Sequence, residues 1–284
     1  MTTLAAASPR RTARQQTIFR RLAAAIAVAG TALLAACETM GTIPPPKASE
    51  IGLYELRVYT ANEGKMAALD ARFRDHTISL FKRHGMTPIA FFHPIVQPGG
   101  PPDNRLIYLM GYKDRATRDA DWASFAADPE WKQVYTASEA NGPLLTKAPD
   151  SIFLAATDYS PPLNRNSALS PRVFELRTYT ANPGKLEDLH SRFRDHTLGL
   201  FARHGMTSVA YWRPTGGQPQ LENKMTYLLA YPSVEARNTS WTAFSADPEW
   251  KKVAADSQKN GALLVSQNGV VSVQMRPTDY SPLK

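Results

Sequence analysis

The sequence repeats itself once along most of its length, and this duplication constrains the fold more than any other feature. YELRVYTANEGK at residues 54–65 returns as FELRTYTANPGK at 174–185. LFKRHGMTPIAF at 80–91 returns as LFARHGMTSVAY at 200–211, and TDYSP closes each copy. The period of about 120 residues is too long for a solenoid repeat and fits a small domain.

The repeat divides the chain into two homologous domains, which we predict at residues 51–160 and 172–284. Residues 161–171, PPLNRNSALSP, are polar with prolines at both ends, which is typical of a linker. Ahead of the first domain, residues 1–36 form a candidate signal segment and residues 37–50 a polar, proline-rich tether. The fold and the function therefore depend on one domain type that is built twice.

Each copy predicts the order strand, helix, strand, strand, helix, strand. LYELRVYT has the period-two alternation of a strand. Residues 65–84 carry apolar side chains at helical spacing, and Gly85 directly after them is a helix C-cap signal. The second helical region breaks at Asp128-Pro129, because aspartate caps a new helix and proline suits its first position. The order βαββαβ is the ferredoxin-like plan.

A single βαββαβ unit packs its helices on one face of an antiparallel sheet and leaves the other face uncovered. The second copy can cover that face if the two sheets pack against each other. The sequence therefore predicts an α+β fold, in which two ferredoxin-like βαββαβ domains pack sheet to sheet as an intramolecular pseudo-dimeric α/β barrel.

The N-terminus resembles a bacterial lipoprotein signal. Five arginines and no acidic residue precede or adjoin the apolar run LAAAIAVAGTALLAA at 22–36, which is shorter than the about 20 residues of a membrane span. LAAC at 34–37 resembles a lipobox, which implies cleavage before Cys37 and lipidation of its thiol. We expect a lipid-anchored, exported protein that faces the periplasm, and Glu38 weakly favours the outer membrane. A signal peptide with a chance cysteine and an uncleaved anchor are the alternatives.

Most of the net charge of +8 belongs to this N-terminal segment. Without its five arginines, 28 basic residues face 25 acidic ones, and these are interspersed, so we expect no nucleic-acid partner. The chain has no HExxH, P-loop, GxSxG elbow or GxGxxG after a strand. Cys37 is the only cysteine, so after lipidation no thiolate remains and we predict no metal site.

ELRVYTANEGK followed by FRDHT and RHGM, and ELRTYTANPGK followed by the same two motifs, resemble the NIPSNAP family. The resemblance covers nearly all of residues 54–159 and 174–280, and it implies the dimeric α/β-barrel superfamily. It implies little chemistry, since NIPSNAP proteins lack a settled catalytic role. Relatives in the wider superfamily include haem-binding enzymes and cofactor-free monooxygenases that act on aromatic substrates.

The first strand of each copy has one apolar and one polar face. The apolar face consists of Tyr54, Leu56 and Val58. The polar face consists of Glu55, Arg57 and Tyr59, which recur as Glu175, Arg177 and Tyr179. We expect the apolar set under the helices and the polar set inside the barrel. There the polar set would bind an anionic or phenolic ligand, or would form a structural network through the pairs Glu55–Arg177 and Glu175–Arg57.

His76 and His196 lie at the centre of the apolar stripe of the first helix if that helix is regular. His76 follows Phe73 by three residues and precedes Leu80 by four, whereas the neighbouring arginines and aspartate mostly fall on the outer face. We therefore expect both imidazoles in the space between helix and sheet, where haem-binding members of the superfamily hold their cofactor. They would contact a ligand or haem there, or they would be core histidines with a hydrogen bond to backbone or tyrosine.

Three functions stay open. The first is a membrane-tethered NIPSNAP lipoprotein that binds a small hydrophobic or aromatic ligand and needs no cofactor. The second is a monooxygenase-like or haem-dependent enzyme that uses His76 or His196, with Arg57 or Arg177 steering an anionic group. The third is a structural or assembly lipoprotein whose barrel is filled. A cavity bordered by histidine and aromatic side chains would favour ligand binding, whereas a filled helix–sheet space would exclude the first two.

Overall fold

The structure, a computed structural model, describes residues 51–96, 98–163 and 172–284. The expected signal segment 1–36, the tether 37–50 and the lipidation site Cys37 lie outside the described residues, as do residues 164–171 of the linker. Within the described ranges, no helix combines the length and the apolar character that crossing a bilayer requires.

The first half has the predicted βαββαβ order. Its strands are β1 (Leu53–Thr60), β2 (Thr87–Pro94), β3 (Arg105–Tyr112) and β4 (Asp150–Ala156). The first helical segment consists of α1 (Met66–Arg72), a π-helical turn (Phe73–Thr77) and α2 (Ile78–Arg83). The second is divided into α3 (Arg115–Ala127) and α4 (Pro129–Glu139), as the Asp-Pro break predicts.

The second half repeats these elements. Its strands are β5 (Val173–Thr180), β6 (Thr207–Pro214), β7 (Lys224–Tyr231) and β8 (Val270–Pro277). Its helices are α5 (Leu186–Arg192), a π-helical turn (Phe193–Thr197), α6 (Leu198–Arg203), α7 (Val234–Ala246) and α8 (Pro248–Asp256). A short 3-10 turn, Pro219–Leu221, lies between β6 and β7.

Local sequence signals set the ends of these helices. The Asp128 carboxylate accepts the backbone N–H of Glu130 at 2.7 Å and so caps α4, whose first residue is Pro129. Gly85 follows α2 at a φ of 82°, in the left-handed region that glycine occupies without strain. The same signals recur in the second half, which explains why the two helix layers are alike.

The eight strands form one closed barrel in the order β1-β3-β2-β8-β5-β7-β6-β4. Each half contributes four neighbouring antiparallel strands. The halves meet at two short seams, where Phe92–Pro94 of β2 pair with Met275–Pro277 of β8, and Leu154–Ala156 of β4 pair with Trp212–Pro214 of β6. The predicted pseudo-dimeric α/β barrel within one chain is therefore confirmed.

The apolar core has three layers. The barrel interior is packed with side chains from both halves, among them Tyr54, Leu56, Phe92, Phe174 and Trp212. Aromatic pairs join the halves there: the ring centroids of Tyr54 and Trp212 are 5.8 Å apart, and those of Phe92 and Phe174 are 4.9 Å apart. Two further clusters lie between the barrel and the helices of each half. A functional site must therefore be sought in the helix layers, because the barrel interior is filled.

The closing TDYS segment of the second half, residues 278–281, binds to the first half. The Asp279 carboxylate accepts two hydrogen bonds from the Arg74 guanidinium, at 2.7 and 2.9 Å. The Tyr280 hydroxyl donates to the Asp70 carboxylate at 2.6 Å. Arg74 therefore binds the other half of the molecule, rather than pairing along its own helix.

The TDYS segment of the first half, residues 157–160, makes the reciprocal contacts with the second half. The Asp158 carboxylate accepts two hydrogen bonds from Arg194, at 2.9 and 2.8 Å. The Tyr159 hydroxyl lies 2.6 Å from Nδ1 of His190, which is fully buried. The TDYS segment of each half therefore binds the first helical segment of the other half.

Candidate functional site

The polar face of β1 points toward the helices, and the expectation that it lines the barrel interior is wrong. Tyr54 and Leu56 lie inside the barrel instead. Tyr59 packs against Phe73, with ring centroids 5.7 Å apart, in the helix–sheet layer. The reason is that both sheets present apolar faces to the shared interior, where a charge would lack a partner. The helix α3, in contrast, supplies an arginine.

Glu55 is the centre of a buried charge network in the first half. Its carboxylate accepts hydrogen bonds from Arg57 of the same strand, from Ser151 of β4 and from both Nε and Nη2 of Arg118 on α3. Arg57 also donates to the Tyr108 hydroxyl at 2.8 Å. Burial would raise the pKa of Glu55, but the bonds to Arg118 and the charge of Arg57 outweigh burial and lower it.

The second half repeats the network around Glu175. Its carboxylate accepts from Arg177 at 2.7 Å, from Arg237 of α7 at 2.6 and 3.1 Å and from the Trp241 indole at 2.7 Å. Burial opposes ionisation, yet Arg237 and Arg177 lower the pKa of Glu175 to about 2. Each acid therefore pairs within its own half. The predicted pairs across the two halves, Glu55–Arg177 and Glu175–Arg57, do not form.

His76 and His196 face solvent, and the expectation that they enter the helix–sheet space is wrong. Both are exposed, whereas Thr77 and Thr197 are buried. The π-helical turns cause this, because one extra residue in the turn rotates the buried stripe onto the threonine. The Thr77 hydroxyl donates to the carbonyl of Arg72 at 2.9 Å, five residues back, which satisfies a carbonyl of the wider turn.

The two histidines line grooves on the outer surface instead. His76 borders a groove of about 500 Å³ between α1 and α4, and His196 borders one of about 380 Å³ between α5 and α8. Neither imidazole reaches the helix–sheet space, so neither can ligate a group held there. Within the described ranges, no three histidine, cysteine or acidic side chains converge as a metal site requires.

A cavity of about 430 Å³ lies in the first half between the helices and the sheet. Seven aromatic side chains contribute to its lining: Tyr59, Phe73, Phe81, Trp122, Phe125, Trp131 and Tyr135. The charged groups that reach it are Arg57, Arg72, Glu139 and Lys147. The Arg57 guanidinium lies 4.5 Å from the centroid of the Trp122 ring, as a cation over an aromatic face. This arrangement suits a flat, apolar ligand that carries an acidic group.

The sequence-predicted residues divide into two groups. Arg57 and Tyr59 line the cavity, and the Glu55 carboxylate holds Arg57 in place by accepting its hydrogen bond. Arg177, Tyr179 and Glu175 have equivalent partners in the second half, where the Arg177 Nη2 donates to the Tyr179 hydroxyl at 3.2 Å. His76 and His196 lie elsewhere, as described above.

Sequence reasoning missed Arg118 and Arg72, which complete the network and the cavity wall. The sequence does contain a signal for Arg118, because it recurs as Arg237 in the second copy. In both copies the arginine precedes a tryptophan by four residues, so the two side chains lie on the same face of the helix. Arg72 was expected at the surface. It is 5% exposed, because it lies three residues after the buried Leu69 and so shares the inward face of α1.

Comparison with known families gives a match over most of the chain. A family model described as NIPSNAP matches residues 54–161 and again residues 174–282. The search of curated proteins found no match.

Solved structures of low sequence identity resemble the structure. An anthrone oxidase-like protein is 10% identical, with 85% of this chain and 98% of that chain covered and a TM-score of 0.53. A proposed monooxygenase from Lactobacillus acidophilus NCFM is 12% identical, with 80% and 94% covered and a TM-score of 0.49. An uncharacterized NIPSNAP-like domain protein from Burkholderia xenovorans is 23% identical, with 40% and 93% covered and a TM-score of 0.35. The first of these similarities supports the barrel fold alone.

Proposed function

Because the chain belongs to the NIPSNAP family and holds both halves of an α/β barrel, we propose that it is a membrane-tethered binding protein for a small aromatic acid. The ligand occupies the helix–sheet cavity of the first half. The observation that carries the proposal is the aromatic lining of that cavity together with Arg57.

The size and the charge of the cavity agree with such a ligand. Small-molecule sites usually enclose roughly 300–1,000 Å³ and combine apolar walls with a few polar groups. At about 430 Å³ the cavity accepts one or two fused rings. Arg57 borders the cavity, and its counter-ion Glu55 is shared with Arg118. The Arg57 guanidinium can therefore attract an acidic substituent on the ligand.

The tether is the second part of the proposal. It rests on the lipobox-like LAAC at 34–37 and the polar segment after it. Cys37→Ser should abolish incorporation of radiolabelled palmitate and should release the protein from membranes into the soluble fraction. Unchanged fractionation of Cys37→Ser would contradict lipid anchoring, and it would leave the cavity proposal standing.

Ligand binding can be tested with 1-naphthoate and its neutral analogue 1-naphthamide, followed by calorimetry. Ala148 is exposed and borders the cavity, so Ala148→Trp should block the mouth and weaken naphthoate binding about tenfold or more, a loss of about 1.4 kcal/mol. Gln267→Trp, at the equivalent exposed position of the second half, is the matched control. Equal affinity in wild type and Ala148→Trp would refute the site, and equal affinity for acid and amide would refute the role of charge.

Cofactor-free oxygenation is the second candidate function for the same cavity. It is favoured by Arg57 and Tyr59, whose guanidinium carbon and ring centroid are 5.7 Å apart, because a cation there would stabilise the enolate or phenolate of a bound substrate. The anthrone oxidase-like protein suggests a first substrate to try. Oxidation of anthrone by dioxygen to anthraquinone and water should consume oxygen in wild type and not in Ala148→Trp. Background oxygen uptake in both would exclude this function.

A further inference from the structure

The two halves differ at a buried arginine that both retain. In the first half Arg72 is 5% exposed, and its Nη1 donates to the Glu139 carboxylate at 2.9 Å. The second oxygen of Glu139 accepts the backbone N–H of Leu144 at 2.8 Å. The arginine, the carboxylate and the amide therefore form a neutral, closed unit at the edge of the cavity.

The second half lacks the carboxylate of this unit. Arg192 is 7% exposed, and Gln258 replaces Glu139. The Gln258 amide turns away and donates to the Ala254 carbonyl at 3.0 Å. Nη1 of Arg192 donates a long hydrogen bond, at 3.5 Å, to the Ser257 hydroxyl. Among the described residues, no carboxylate forms an ion pair with Arg192.

A buried guanidinium without a counter-charge is costly, so its retention needs an explanation. Burial lowers the pKa of Arg192, in the direction expected for a cation that lacks compensation. Nε of Arg192 also lacks a hydrogen-bond partner, but Nε of Arg72 does as well, so that atom does not distinguish the halves. The difference lies in the missing carboxylate.

The surroundings of Arg192 leave room for a ligand. The His196 groove, of about 380 Å³, includes Arg192, Ser257 and Asn260 in its lining, so one side of this buried residue borders open space. Tyr135, whose ring centroid lies 5.6 Å from the Arg72 guanidinium, is replaced by Ala254. The ring that lies near the Arg72 guanidinium therefore has no counterpart near Arg192.

The acidic residues of the groove lie on its exposed rim. Asp188 is held by Lys185 at 3.0 Å, and Asp256 is held by Lys252 and Lys259. Asp195 is exposed and follows the exposed Arg194 in the chain. These aspartates lower the attraction for an anion at the rim, but none of them forms an ion pair with the buried guanidinium. A ligand that is small enough to pass them meets Arg192.

We propose that the second half binds a small organic carboxylate at Arg192, in the place that the Glu139 side chain fills in the first half. The first half shows the geometry of the bound group: one oxygen on the arginine Nη1 and the other on the amide that corresponds to Leu263. The site differs from the aromatic cavity of the proposed function in its position and in its dependence on Gln258. Each can therefore fail without the other.

Propionate is the natural probe, because it reproduces the end of a glutamate side chain. We expect propionate to shift the NMR resonances of the Arg192 Nε–H and the Leu263 amide, with a Kd of about 1–10 mM as its five heavy atoms allow. Propionamide should have no effect. Phosphate and sulfate test whether any oxyanion suffices, and a response to them as strong as to propionate would refute selectivity for a carboxylate.

Reciprocal substitutions provide matched variants. Gln258→Glu should supply the carboxylate internally, so the Arg192 resonance should move without ligand and the response to propionate should weaken at least about tenfold. Glu139→Gln should make the Arg72 resonance respond to propionate. The proposal is overturned if wild type shows no response to propionate, or if Gln258→Glu responds as wild type does.

Discussion

Replacement of Glu175 by glutamine tests whether the buried charge network holds α7 on the sheet. The Glu175 side chain has no exposed surface, and its carboxylate is contacted by two arginines, an indole, a phenol and a serine hydroxyl. Glutamine has nearly the same shape, but it removes the negative charge between Arg177 and Arg237. Both guanidiniums then lose a buried counter-charge.

The size of the effect follows from the pKa of Glu175. The network lowers this pKa from the usual 4.5 to about 2. A lowering of this size means that the ionised carboxylate stabilises the folded state by about 3 kcal/mol. Removal of one partner of a buried ion pair generally costs about 3–5 kcal/mol. We therefore expect Glu175→Gln to lower the free energy of unfolding by about 3 kcal/mol or more at pH 7.

The loss should depend on pH. A carboxyl group whose folded pKa is depressed stabilises the fold fully above its unfolded pKa, and this stabilisation disappears as pH falls through the folded pKa. For Glu175 the window runs from about 4.5 down to about 2. The difference between wild type and Glu175→Gln should therefore shrink, by about 1.4 kcal/mol at pH 3.5 relative to pH 7.

Urea unfolding followed by tryptophan fluorescence at pH 7, 5 and 3.5 measures this difference. Glu63→Gln is the control, because Glu63 is exposed and its replacement should change stability by less than about 0.5 kcal/mol. A loss below about 1 kcal/mol at pH 7, or a difference that stays constant with pH, would refute the electrostatic account of the network.

Three further predictions concern the contacts between the halves and the exposed histidine. Tyr280→Phe removes a hydrogen bond of 2.6 Å to the Asp70 carboxylate, so urea unfolding should show a loss of about 1.5–3 kcal/mol. Burial lowers the pKa of His190 to about 4, so the wild type should lose stability as the pH falls below 6.5. Relative to His190→Gln, the free energy of unfolding should fall by about 2 kcal/mol at pH 5. The same pH profile in both proteins would contradict this prediction. His76→Ala should leave 1-naphthoate binding unchanged in calorimetry and should alter stability by less than about 0.5 kcal/mol, whereas a loss of binding would restore a role for His76 in the cavity.

The architecture was predictable from the sequence because its signals are redundant. Every element appears twice, and the Asp-Pro caps and the glycine after α2 fix the helix ends without help from tertiary contacts. The sheet of one βαββαβ unit has an uncovered apolar face, and packing against the second copy buries it.

The orientation of the polar strand face was not predictable from the strand alone. Alternation separates Glu55 from Leu56, but it does not say which of them faces the helices. The missing information lay on α3, where Arg118 provides the partner that makes burial of Glu55 tolerable. A charged strand residue is better assigned after the helices have been searched for its counter-charge.

The histidines were misplaced because the helix was assumed to be regular. A π-helical turn cannot be read from apolar spacing, and one extra residue moves the buried position from His76 to Thr77. The threonine hydroxyl at that position donates a hydrogen bond to the carbonyl five residues earlier in the chain. The same substitution of roles occurs at His196 and Thr197.

The two short seams of the barrel have a consequence for behaviour at high concentration. Each seam is a ladder of only a few residues, whereas the other strand pairs run along most of their length. Separation at both seams would leave two intact four-stranded sheets with unprotected edges on β2, β4, β6 and β8. A half from one molecule could then pair with the complementary half of another, which is domain swapping. Brief warming of concentrated protein should therefore yield dimers that dissociate slowly on dilution.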